Sequence, residues 1–126
     1  MPVSGLGAYD NDNIFAKILR GEIPSKKVFE NKHALAFHDI HPLAPTHVLV
    51  IPKGKYVSLA DFTAKASEAE IGGFFRAVGT VAKELGLEAE GYRILANMGA
   101  QAGQEVPHFH VHIFAGRPLG RMLSER

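Results

Sequence analysis

His108-Phe109-His110-Val111-His112-Ile113-Phe114-Ala115 decides the fold and points to the chemistry. Successive side chains of a strand leave opposite faces of a sheet. The alternation therefore predicts a strand over 108–115, with His108, His110 and His112 on one face and Phe109, Val111 and Ile113 turned into a core. The rise per residue separates the outer two histidines by roughly 13 Å, the reach of a small nucleotide and more than the footprint of one atom. Three imidazoles on one face supply a nucleophile, a proton donor and an orienting partner near neutral pH. A single strand histidine is more often a plain surface or core residue. His-x-His on a strand is also a zinc arrangement, which His47 or Glu105 would complete, and the spacing leaves that reading open.

Outward from this run, Thr46–Ile51 is a continuous apolar stretch stopped by Pro52, which predicts a strand covered on both faces. Lys27–Glu30 and Ala34–His38 predict two strands around a turn at Asn31-Lys32, and Tyr92–Asn97 predicts another. Ser67-Glu68-Ala69-Glu70 is a capping box. Behind it Ile71, Phe74, Phe75, Val78, Val81, Ala82 and Leu85 recur at helical spacing until Gly86, which predicts one long core helix. A short helix is expected after an Asp12 N-cap, with Ile14, Phe15, Ile18 and Leu19 on one face and Gly21 past its end. The order implies an α+β fold, an antiparallel sheet with one long and one short helix. Residues 1–11, rich in glycine, are expected to be a flexible N-terminal arm, and 12–126 a single domain.

Composition narrows the function. The chain has 126 residues, 46% of them hydrophobic, so one domain can bury a real core. No cysteine is present, which removes disulfides, thiolate metal sites and cysteine nucleophiles, and fits a reducing cytoplasm. The formal charge is +1 with no basic stripe, so neither nucleic acid nor a membrane is an expected partner. Met1 to Asn13 shows neither the charged nor the apolar part of a signal peptide.

The run H-φ-H-φ-H-φ-φ at 108–114 resembles the signature of the histidine triad (HIT) family. Other segments are similar to its Hint branch in the same order: Ile14–Ile18 with Glu22-Ile23-Pro24, Ala36–Ile40, Ala44–Lys53, Asn97, and Gly103-Gln104-Glu105-Val106. Gly116-Arg117-Pro118-Leu119-Gly120 further resembles bacterial members.

The resemblance implies a sheet extended across a homodimer and hydrolysis of purine nucleoside phosphoramidates or acyl-adenylates, releasing AMP, with no cofactor and no metal. AMP- or GMP-type purine nucleotides are the implied ligands. It further implies that His110 is the nucleophile and that His112 contacts the phosphate, with His108 and His47 supporting them. Asp39 would accept from the ribose hydroxyls, although aspartate is also a common turn cap. Ile14, Phe15, Ile18, Phe37 and Ile40 would form the base slot, with His38 at its rim. Asn97, Gly103, Gln104, Glu105 and Val106 would meet the phosphate, where glycine lets backbone N–H groups approach an anion. Glu105 departs from the serine of many eukaryotic members, which leaves the leaving-group acid unassigned. The rival functions are a dinucleoside polyphosphate hydrolase of another HIT branch and a nucleotide-binding interaction module with weak catalysis.

Overall fold

The computed structural model describes residues 3–124. Its elements, in chain order, are α1 (Ile14–Leu19), β1 (Lys27–Glu30), β2 (Ala34–His38), β3 (Thr46–Pro52), α2 (Leu59–Lys65), α3 (Glu68–Glu84), β4 (Arg93–Leu95) and β5 (Val111–Ala115). The five strands form one antiparallel sheet in the order β1-β2-β3-β5-β4. The expected α+β architecture is present. Among the described residues no helix is long and apolar enough to cross a membrane.

Strand alternation divides the side chains between two layers. Ala34, Ala36, Val48, Val50, Val111 and Ile113 face α2 and α3 and pack with Phe62, Phe74, Val78, Val81 and Phe109. Leu35, Phe37, Leu49 and Ile51 face the other way, against Phe15, Ile18 and Leu19 of α1 and against Val106. β3 is buried almost throughout, as its unbroken apolar run predicts. His47, His112 and Phe114 alternate with the core residues and so share the α1 side of the sheet. The register pairs His47 with Phe114 and Leu49 with His112, which makes His47 and His112 diagonal neighbours.

Four local expectations change. α1 is capped by Asn13, whose side chain accepts from the Ala16 N–H at 2.9 Å, whereas the Asp12 N–H bonds to Asp10. α2 is an additional helix, opened by a capping box between Ser58 and Asp61. With only Phe62 buried along its seven residues, it carries no apolar stripe to announce it. β4 is shorter than Tyr92–Asn97. β5 starts at Val111, three residues later than the alternation predicts. The preceding backbone is diverted: the Phe109 N–H donates to the Tyr56 carbonyl at 2.7 Å, and the Pro52 carbonyl accepts from the His108 ring at 3.0 Å. Phe109, Val111 and Ile113 still enter the core.

Phe62 anchors that core. Its ring lies 5.0–5.4 Å from those of Tyr56, Phe74 and Phe109, and it is fully buried. Phe62→Ala is expected to destabilise the fold by about 3–5 kcal/mol through lost contacts and the hole left behind. Equilibrium urea unfolding would measure it, and a loss below about 1 kcal/mol would mean that the core collapses around the gap.

Candidate functional site

Two adjoining cavities open on the α1 side of the sheet. One, of about 420 Å³, is lined by His110, His112, Asn97 and the Gly103–Val106 segment, together with Phe15, Asp39, Leu43, Leu49, Leu95, Phe114, Met122 and Leu123. The other, of about 250 Å³, is lined mainly by apolar side chains, among them Ile14, Phe15, Ile18, Ile23, Phe37 and Ile40, with His38 also on its wall. Phe15, Asp39, Leu49, Glu105 and Val106 belong to both walls. The motif residues of six separate segments are thereby brought together. His108 lines neither cavity.

Each ring nitrogen can be assigned from its partner, because a neutral imidazole has one donor and one acceptor. His110 Nδ1 lies 2.7 Å from the His108 carbonyl, which can only accept, so Nδ1 carries the proton and Nε2 keeps its lone pair. The Leu43 N–H donates to His47 Nδ1 at 3.1 Å, so the His47 proton is on Nε2. That Nε2–H faces His112 Nδ1 at 2.9 Å, with Asp39 Oδ2 at 3.4 Å. His112 Nδ1 is then an acceptor, and its Nε2–H is the remaining donor. His108 donates from Nε2 to the Pro52 carbonyl and accepts from the Tyr9 hydroxyl at Nδ1, 2.5 Å away. The His110 and His112 rings sit 5.0 Å apart, and both line the larger cavity.

Burial pushes all four rings below the usual histidine range, against the pull of nearby carboxylates. His108 and His112 are both pushed down to about 4. Beyond burial, His110 lowers both of them, and His47 lowers His112 as well. For His110 burial outweighs the bond to the His108 carbonyl and the charges of Asp39 and Glu105. Neutral rings with fixed tautomers can attack an electrophile and donate to an anion.

Several expectations are modified. The histidines are not simply one shared ligand face: His108 is 0% exposed behind the cavity, and His110 is 8% exposed on its wall, with Phe15 edge-on to His110 at 5.0 Å. The Gln104 side chain is committed to the protein and turned away from any ligand. Its Oε1 accepts from the Gly99 N–H, and its Nε2 donates to the Val57 and Val106 carbonyls. Gln104 therefore shapes the loop, where Gly103 adopts a left-handed φ of 79°. Asp39 caps a turn through Oδ1, which accepts from the His41 N–H at 2.8 Å, and also borders both cavities. Met122 and Leu123 on the wall had no signal in the sequence beyond their apolar character. Phe114 could have been found by extending the alternation from His112.

The metal reading changes its ligand set. Asp39, His47 and His112 bring one ligand atom each within 4.8 Å of one another. Ligation through His47 Nε2 would move the proton to Nδ1, where it would confront the Leu43 N–H. The three side chains fit a hydrogen-bond relay better than a cation.

A HIT domain family model matches residues 20–119. A HIT-like protein of Azospirillum brasilense is 65% identical over 117 residues, covering 93% of this chain and 96% of that one. The purine nucleoside phosphoramidase of Escherichia coli K12 is 40% identical over 115 residues, covering 91% and 96%. The solved structure of a histidine triad protein from Clostridium difficile superposes with a TM-score of 0.83 at 41% identity, covering 92% of this chain and all of that one.

The depressed histidines set an acid limit on stability. The unfolded chain takes up protons near the ordinary histidine value of about 6.5, whereas folded His108 and His112 do so only near 4. Their contribution is therefore complete above about pH 6.5 and lost as pH falls toward 4, at up to about 1.4 kcal/mol per pH unit for each ring. Urea unfolding between about pH 7 and pH 5 is expected to show that decline, and a flat profile would contradict the neutral assignment.

Proposed function

The chain belongs to the histidine triad (HIT) family, and from that membership we propose that it is a hydrolase acting on purine nucleoside phosphoramidates or acyl-adenylates. The observation that carries the reading is the His110 Nε2 lone pair beside the His112 Nε2–H, at the mouth of an apolar slot. The 40% identity to a named phosphoramidase supports this choice over the dinucleoside polyphosphate reading.

In this mechanism the base lies in the slot of Ile14, Phe15, Ile18, Phe37 and Ile40, and the ribose hydroxyls donate to Asp39. His110 Nε2 attacks the α-phosphorus. The bond from phosphorus to the leaving nitrogen or acyl oxygen breaks, and its electron pair departs with that atom. A proton from His112 Nε2 neutralises it, with His47 and Asp39 behind that ring. Water then attacks the nucleotidyl-histidine and returns a proton to His112 Nε2, the bond from phosphorus to His110 breaks with its electron pair going back to Nε2, and AMP is released. Backbone groups of the Gly103–Val106 segment and Asn97 face the phosphate. The reaction needs neither metal nor cofactor and suits the cytoplasm.

We also propose a homodimer that continues the sheet across the outer edge of β4. Ile94, central in that three-residue edge strand, is 47% exposed, and an unpaired apolar edge invites a second copy. The chain is expected to run at twice its monomer mass at micromolar concentration in light scattering, with Ile94→Lys shifting it toward monomer. A wild-type monomer would refute the arrangement.

His110→Ala is expected to lower phosphoramidate turnover by on the order of a million-fold, as loss of a covalent nucleophile does. His112→Ala is expected to cost ~10²–10⁴, the usual range for proton transfer. Mass spectrometry at neutral or basic pH should find a nucleotidyl adduct on wild type and none on His110→Ala. Turnover of that variant within about tenfold of wild type would assign the chemistry elsewhere.

A further inference from the structure

Val3–Tyr9 lies ahead of the family-matched region, which begins at residue 20, yet it is tied down at three points, two of them at candidate site residues. The Val3 N–H donates to the Gln104 carbonyl at 2.7 Å. Ser58 Oγ, itself buried, donates to the Gly5 carbonyl at 2.7 Å. The Tyr9 hydroxyl reaches His108 Nδ1 at 2.5 Å. Between these ties the segment presses on the 98–105 loop. Gly5 has a φ of 78°, and a Cβ there would stand 2.9 Å from Gln104 Oε1 and 3.1 Å from the Gly99 nitrogen. The loop expected to be a free arm is thus in close contact with the wall of the cavity.

We propose that Val3–Tyr9 is a strap over the back of the catalytic wall, and that Tyr9 is a positioning residue acting through His108 on His110. The inference rests on His110 being the nucleophile. His108 is fully buried and held at both ring nitrogens, by Tyr9 on one side and the Pro52 carbonyl on the other. Its own carbonyl receives the His110 Nδ1–H, so its place decides whether His110 shows Nε2 as a lone pair. The Phe15 ring meets both histidines edge-on and links the two. Burial raises the Tyr9 hydroxyl above its usual value, which keeps it a donor. Without that hydroxyl, His108 Nδ1 becomes a buried acceptor with no partner, and the ring must shift to find one.

Tyr9→Phe removes the hydroxyl and keeps the ring. It is expected to lower kcat by roughly 10- to 100-fold, the scale of a small misplacement of a reacting group. KM and the Kd for AMP should stay within about twofold. Nitrogen-15 NMR of the imidazoles should show His110 as the Nδ1–H tautomer in wild type and as a mixture in the variant. Wild-type kcat with one His110 tautomer in Tyr9→Phe overturns the strap. Should that variant unfold, the wild-type spectrum still decides: a proton on His108 Nδ1 overturns the proposal. Absence of an adduct on wild-type His110 overturns the proposed function instead, a result the tautomer measurement does not share.

Discussion

A buried neutral imidazole offers one donor and one acceptor, and four of them crowd one end of this sheet. They fit only if no two protons and no two lone pairs confront each other. The arrangement is fixed at its margins by backbone groups that cannot exchange roles: the Leu43 N–H only donates, and the carbonyls of Pro52 and His108 only accept. From those three groups the tautomer of every ring follows. The free lone pair at His110 and the donor capacity at His112 are consequences of main-chain placement, and the main chain is held by the sheet and the 98–105 loop.

The sheet makes that placement rigid. β3 is covered on both faces, so its even positions build the core with α3 while odd positions face α1, Leu49 on the cavity wall and His47 behind His112. β5 repeats the division with Val111 and Ile113 against His112 and Phe114. A one-residue slip would exchange the two sets and bury the wrong groups. Phe15 completes the wall from α1, touching Phe37 and both inner histidines.

The histidine run, the core side of β5, the double coverage of β3 and the long helix α3 were all legible, because each depends on a periodic pattern that burial imposes on side chains. What escaped depends on the backbone or on single contacts. The late start of β5 comes from the Phe109 N–H finding Tyr56 instead of a strand. α2 has only Phe62 fully buried and no repeating face to reveal it. Gln104 lies within a motif, yet whether its amide meets solvent or Val57 is a matter of tertiary folding. Tyr9 is 99 residues from His108, and no local rule joins them.

The mutual depression of the histidines gives the cavity a collective property. Burial already resists a first charge, and each charged ring makes the next harder to charge, as His110 does for His108 and His112. The cluster therefore stores protons anticooperatively. A negative charge placed beside His110 and His112 would supply the missing counter-charge and raise their proton affinity. Charge and protonation at this wall are thus thermodynamically linked, so that an anion and a proton would each favour the other's arrival.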